Sequence, residues 1–149
     1  MLMTFKKIVC PTDFSEASRL AIDVAADLAA RDHGELRLVH IVEVEPLVST
    51  DPNVVMAVPQ FEQTLHADVQ RQLDALAACV KTANVTTMIG HGDPGNEIVR
   101  LAQEEGADLI VMPTHGRTGL DHVVFGSVAE KVVRHAHRPV LTIPAPPTH

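Results

Sequence analysis

Residues 111–133 read VMPTHGRTGLDHVVFGSVAEKVV. The stretch opens inside an apolar run, turns polar at Thr114, carries glycines at 116, 119 and 126, and closes on an apolar pattern of helical spacing. A strand that runs into a glycine-rich loop and then into a helix is the repeating unit of an α/β fold. The loop and the helix N-terminus then lie at the carboxyl end of the strand. A helix N-terminus presents unpaired N–H groups and the positive end of the helix dipole, which suits an anion. Pro113 stands at the mouth of this loop. Proline fixes φ at about −65° and removes one N–H donor. It also holds the preceding Met112 extended, as befits a strand end.

Working outward, five short apolar runs alternate with four helical patterns. The runs are KKIVCP at 6–11, LRLVHIVE at 36–43, VTTMIG at 85–90, DLIVMP at 108–113 and PVLTI at 139–143. Several are nearly continuous in Val, Ile and Leu, which fits strands covered on both faces, as in a parallel sheet. The first helix starts near Ser15, with Ser15 and Asp13 both candidate caps. Its expected buried stripe is Ala17, Leu20, Ala21, Val24 and Leu28. The second carries Phe61, Leu65, Val69, Leu73, Leu76 and Val80 at intervals of three or four. The third opens at Asp93-Pro94, a cap followed by a first-turn proline, and stops at Gly106. The fourth opens at Ser127, with Val128, Val132, Val133 and Ala136 facing inward. Ser127 and Glu130 have capping-box spacing.

The order β-α-β-α-β-α-β-α-β with right-handed crossovers predicts an open parallel five-stranded sheet with helices on both faces. One domain spans 1–149, with the proline-rich tail 144–149 expected to be disordered. The segment VEPLVSTDPNVVMAVP, 44–59, reads as the longest irregular piece. It is either a surface excursion over the sheet or a lid or partner-binding segment.

Composition excludes several classes. Aromatics are 3% of the chain, so the core must be built from Val, Leu, Ile and Ala. The formal net charge of −7 argues against a general binder of nucleic acid or anionic membrane, which needs a basic footprint. The N-terminus lacks a signal-peptide layout and no apolar run reaches membrane-spanning length, so a cytoplasmic protein is expected. Cys10 and Cys79 have neither metal nor redox spacing and read as reduced core residues. Nine histidines supply no zinc-like trio. His40 reads as a buried, hydrogen-bonded strand residue and His115 as a shaper of the glycine loop. No catalytic triad, no Walker-type lysine loop and no metal site is present in the pattern, so a binding protein is expected rather than a rapid phosphotransferase.

In a doubly wound sheet, ligands bind beyond the carboxyl ends of the strands where the winding reverses. With the common order 3-2-1-4-5, that crevice lies between strands 1 and 4. Strand 1 ends in CPTDFS and strand 4 in MPTHGRTG. Gly116, Gly119 and Gly126 allow close backbone approach and positive φ. Arg117 and Thr118 add donors, and GSVAE brings helix amides. Asp13 has two readings: acceptor for ribose hydroxyls or an adenine amine, and cap of the first helix. Pro11 has the shape to pack against a base, and Ile41 and Val42 to complete an apolar pocket.

With these segments in hand, the chain resembles the universal stress protein family. The resemblance rests on KKIVCPTDFSEAS, LRLVHIVE and GADLIVMPTHGRTGLDHVVFGSVAEKVVRHAHRPVLTIP, in this order and across nearly the whole length. It implies a Rossmann-like fold and a homodimer paired through the last strand. It also implies that some members bind ATP, with Mg²⁺ or Mn²⁺ as the accompanying cation, and that others do not. The ATP-binding motif is glycine, two residues, glycine, nine residues, then glycine with Ser or Thr. Here Gly116 and Gly126-Ser127 match, and Pro113 replaces the first glycine. Carried over by position, the adenosine end falls to Pro11, Thr12, Asp13 and Ile41; Met112 and Pro113 complete the nucleotide-binding set, with the Pro113 ring shaped to fit against the ribose. The phosphates fall to Gly116, Arg117, Gly119, Gly126, Ser127 and Val128. Asp121 stands where members often carry a basic residue; it reads as a solvated acid or as a water-mediated ligand of the cation. A nucleotide-free dimeric interaction module and a weak ATPase or phosphotransferase are the alternatives.

Overall fold

The apolar runs emerge as strands to within a residue or two. In the computed structural model, which describes residues 2–45, 48–81, 83–115 and 125–145, the elements follow the expected alternation. They are β1 (Lys7–Pro11), α1 (Glu16–Arg31), β2 (Glu35–Val42), α2 (Pro52–Cys79), β3 (Asn84–His91), α3 (Pro94–Glu104), β4 (Leu109–Pro113), α4 (Ser127–His135) and β5 (Val140–Ile143). The five strands are all parallel, in the order β3-β2-β1-β4-β5. This is the Rossmann-like arrangement anticipated from the sequence.

Strand alternation divides the core into two layers. Ile8, Cys10, Leu36, Leu38, Leu109 and Val111 face α1 and α2. Val9, Val39, Ile41, Ile110 and Met112 face α3 and α4. Each helix ends where its chemistry says it should. Ser15 caps α1, accepting from the Ser18 N–H at 3.3 Å, and Asp93 caps α3, accepting from Asn96 at 3.0 Å. Past α3, Gly106 takes φ 65°, a left-handed conformation that glycine adopts without strain.

Several expectations are corrected. The buried stripe of α1 is Ser18, Ala21, Ile22, Ala25, Ala26 and Ala29, while Leu20 is exposed and Ala17, Val24 and Leu28 lie at its margins. Small alanines let the helix lie close on the sheet, and the larger residues flank the seam. In α4 it is Ala129, Val132 and Ala136 that are buried; Val133 points to solvent. The segment 44–59 is not irregular throughout, because α2 already begins at Pro52. Asp51 caps it through the Asn53 N–H at 2.9 Å and Pro52 fills the first turn. Pro59 sits inside the helix on an exposed face, where water can satisfy the carbonyl it leaves unpaired.

The helix α2 has 28 residues against eight in β2 and β3. It is about 42 Å long beside strands of about 26 Å, and so it overhangs the sheet. Only its second half is anchored, by buried Val69 and Leu73; Phe61 and Leu65 are exposed rather than core. Cys10 is buried, and burial pushes its thiol pKa well above the usual range, whereas Cys79 is exposed and not the core residue expected. Among the described residues no helix is long and apolar enough to cross a membrane.

This division of α2 has a direct consequence. Leu73→Ala, at a fully buried position, should cost about 2–5 kcal/mol in urea unfolding. Phe61→Ala, at a position 68% exposed, should change stability by no more than about 0.5 kcal/mol. Comparable losses for the two would mean that the overhang is packed.

Candidate functional site

The site begins with a parting of strands. β1 pairs with β4 only at Ile8↔Leu109 and Val9↔Ile110. Beyond these residues β1 stays with β2 as far as Pro11↔Val39, and β4 stays with β5 as far as Pro113↔Ile143. The sheet therefore splits at its carboxyl edge. A crevice of about 650 Å³ occupies the gap, within the usual range for small-molecule sites.

On the β1 side, the turn after Pro11 is held by its own polar groups. The Thr12 N–H donates to Val39 O at 2.8 Å, extending the β1–β2 pairing by one residue. The buried Thr12 hydroxyl lies 2.9 Å from Ser18 Oγ and accepts from the Phe14 N–H at 3.0 Å. Asp13 Oδ1 accepts from the Ser15 N–H at 3.0 Å, closing an Asx turn. Asp13 therefore shapes the turn ahead of α1, while the cap itself is Ser15. Phe14 takes φ 64°, uncommon for a bulky residue, and packs its ring on His40 with centroids 4.7 Å apart. His40 Nδ1 lies 2.8 Å from Thr12 O.

On the β4 side, the wall is the entry to α4. The helix cap is Gly126, with φ −71° and ψ 167°. No positive φ is needed there. The requirement is close approach, since the Gly126 N–H donates to Thr114 O at 2.7 Å and an added Cβ would lie 3.3 Å from that oxygen. The expected capping box is not formed. Ser127 is the first helical residue, one position past the cap, and its side chain is exposed at the crevice. The helices α1, α2 and α3 are each capped by their own Ser15, Asp51 or Asp93 side chain; α4 has a glycine there, with no side chain to offer. The Glu130 N–H makes the first intrahelical bond, to Gly126 O at 3.0 Å, so the three preceding amides have no partner within the helix.

The geometry also defines what Pro113 removes. Ile110 N–H donates to Pro139 O and Thr114 N–H to Ile143 O, both at 3.0 Å. By strand alternation, an N–H at 113 would point the other way, toward β1. There β1 has already departed. The proline thus leaves the sheet intact and takes one donor from the crevice, replacing it with an apolar ring.

Ten of the sequence-predicted residues line this one crevice: Pro11, Thr12, Asp13, Ile41, Val42, Met112, Pro113, Gly126, Ser127 and Val128. Gly116, Arg117, Gly119, Thr118 and Asp121 lie outside the described residues, as do 146–149 of the tail. The lining also includes residues that pattern reading did not assign to the site: Phe14, His40, Glu43, Leu65, Val69, Gln72, Pro94, Ile98, Thr114 and Ala129. One sequence signal pointed at His40, a polar residue within an apolar strand directly before Ile41. Nearby, the Asn96 N–H and then the Lys131 ammonium hold the Asp93 carboxyl below the usual carboxylate range. That ammonium, 3.0 Å from Asp93 Oδ2, ties α4 to α3. Among the described residues no three His, Cys, Asp or Glu side chains gather as a metal site.

The crevice thus has apolar walls at one end and helix amides at the other. Such a site fits a ligand with a flat apolar part and an anionic part. Comparison with known proteins gives the lineage of this arrangement. The family model described as the universal stress protein family matches residues 4–144. Universal stress protein MJ0531 of Methanocaldococcus jannaschii is 37% identical over 147 residues, covering 95% of this chain and 84% of that protein. The structure of universal stress protein UspA from Lactobacillus plantarum superposes with a TM-score of 0.77 at 27% identity, covering 95% of this chain and 99% of that one. A universal stress protein solved in complex with cAMP shares the fold, with a TM-score of 0.66 at 23% identity over 95% of this chain and 98% of that one. A match along nearly the whole length, in sequence and in fold, has one reading: the chain belongs to the universal stress protein family.

Proposed function

We propose that this protein binds an adenine nucleotide, ATP in the first place, in the crevice between β1 and β4. The observation that carries the reading is the entry to α4. It is the one helix of the four described whose cap residue has no side chain, and its leading amides open on a cavity of fitting size. Pro11, Ile41, Met112 and Pro113 form the apolar end that receives the base and ribose face. Thr12 fixes the turn, and Asp13 receives ribose hydroxyls, since a carboxylate repels phosphate. Gly126, Ser127 and Val128 offer amides and a hydroxyl to the phosphates, joined by Gly116, Arg117 and Gly119. A divalent cation, Mg²⁺ or Mn²⁺, would neutralise phosphate charge when bound. The residues assigned to the site are donors and walls, with no positioned nucleophile among them, so occupancy of the crevice is the function rather than rapid turnover. The location is the cytoplasm, in keeping with unbridged Cys10 and Cys79.

β5 is the edge of the sheet, and Leu141 on it is exposed. An unpaired apolar edge invites pairing. The proposed assembly is a homodimer through antiparallel β5 strands. Sedimentation at micromolar concentration should show a dimer for the native chain and a monomer for Leu141→Lys. A native chain that sediments as a monomer would exclude the assembly.

The nucleotide reading is tested by unfolding the purified protein with and without Mg²⁺–ATP. At 100 times its dissociation constant, ATP should add about 2.7 kcal/mol of stability. Pro113→Gly restores one N–H to the crevice and should tighten binding by roughly two- to tenfold, the worth of one hydrogen bond. No stabilisation at millimolar ATP, in protein shown by mass spectrometry to carry no nucleotide, would favour the nucleotide-free dimeric module, the reading that Pro113 itself motivates.

A further inference from the structure

Gly95 is buried in the first turn of α3, a place where alanine would favour the helix more. The space a side chain would fill is taken. A Cβ at Gly95 would lie 2.6 Å from Lys131 Cδ and 3.0 Å from Lys131 Cβ and Cγ. The Lys131 stem therefore crosses from α4 over bare backbone of α3. Its ammonium ends 3.0 Å from Asp93 Oδ2, the same oxygen that accepts the Asn96 N–H at 3.0 Å. One carboxylate oxygen thus closes the first turn of α3 and fastens α4 to it. Asp93, Gly95 and Lys131 do not line the crevice, but their neighbours do: Pro94 and Ile98 from α3, and Gly126 to Ala129 at the start of α4. Lys131 lies four residues past Ser127, on the same side of α4 and one turn behind it.

We infer that Lys131 is a positioning residue for the ligand of the crevice: by clasping Asp93 across Gly95 it fixes where the leading amides of α4 point, without touching the ligand itself. The inference rests on the adenine-nucleotide reading of this site. α4 has only nine residues. Its entry is held to the end of β4 by the Gly126 N–H on Thr114 O at 2.7 Å. Toward α3 the two helices share an apolar layer with Ile98, Leu101, Ala129 and Val132. Apolar contact is non-directional, and the clasp adds a fixed point to it. The Lys131 and Asp93 side chains are 40% and 50% exposed, and ion pairs at such positions contribute little to stability. The clasp therefore acts on geometry more than on the stability of the fold. α4 also supplies its own control. Arg134 pairs with Glu130 at 2.7 Å, is as open to solvent, and joins two residues of the same helix.

The experiment is calorimetric titration of the full chain and its variants with Mg²⁺–ATP. Lys131→Met keeps the stem and removes the ammonium. Asp93→Asn keeps an acceptor for the Asn96 N–H and removes the charge that holds Lys131. Each should weaken binding by roughly three- to tenfold, and the double variant should be no weaker than either single one. Lys131→Arg returns a cation to Asp93 and should stay within about twofold of native. Gly95→Ala must push the stem aside, so it should weaken binding even though alanine favours the helix. Arg134→Met takes the same charge from the same helix and should stay within about twofold of native. Thermal midpoints of the charge variants should move by no more than about 4 °C. In the free protein, the amide signals of Ser127, Val128 and Ala129 should shift more in Lys131→Met than in Arg134→Met. Native affinity in both Lys131→Met and Asp93→Asn, or an equal loss in Arg134→Met, overturns the role of Lys131 and leaves the nucleotide site standing. A midpoint lowered well beyond that range makes the tie a prop of the fold and overturns the role as well. A native chain that binds no ATP overturns the site and this role together.

Discussion

The structure depends on where hydrogen bonding between β1 and β4 stops. Two residue pairs hold these central strands together, and beyond Val9 and Ile110 each turns to its other neighbour. Had the ladder continued, Pro11 and Pro113 would lie in a closed sheet and no space would separate the β1 turn from the entry to α4. Because it stops, the carboxyl ends of two strands become the walls of a cavity. The proline at 113 is tolerated for the same reason, since its missing N–H would face the gap and not a partner strand. Backbone pairing thus decides the position of the site before any side chain contributes to its chemistry.

The two walls are built by different means. On the β1 side, hydroxyls and one carboxylate turn inward on the backbone: Thr12 serves Phe14 and Ser18, and Asp13 serves Ser15. Such a turn is stiff, which is how a bulky residue like Phe14 is kept at positive φ. On the β4 side, stiffness comes from the backbone. Gly126 docks on Thr114 O, and Thr114 N–H docks on β5. That leaves the first amides of α4 facing the cavity with no partner in their own helix. A preorganised set of donors binds an anion at less cost in lost freedom than a mobile one.

Much of this was legible in the residues. The near-continuous Val, Ile and Leu runs specify buried parallel strands. Asp93-Pro94 and Gly106 bracket α3 because a cap, a first-turn proline and a left-handed glycine are local chemistry. Other features depend on neighbours distant in sequence. Apolar size points to the wrong face of α1, because its seam on the sheet is made mostly of alanines while Leu20 is exposed. The start of α2 was hidden by Pro52 and Pro59, one a helix starter and the other tolerated on a solvated face. The capping-box spacing at Ser127 is real in the sequence, yet Gly126 takes the cap position because Thr114 O holds its N–H. Phe14 and His40 join the site only because β1 and β2 are adjacent, which no local pattern encodes.

The proposed function turns on the amides at the start of α4 meeting the anionic end of a nucleotide. The most direct measurement is an amide ¹H–¹⁵N NMR titration with Mg²⁺–ATP. The N–H signals of Ser127, Val128 and Ala129 should move furthest among the helix starts. Those of Ser18 in α1 and Asn96 in α3, already bound to their own caps, should barely move. Shifts concentrated on the exposed half of α2 or on β5, with Ser127 to Ala129 unmoved, would contradict it.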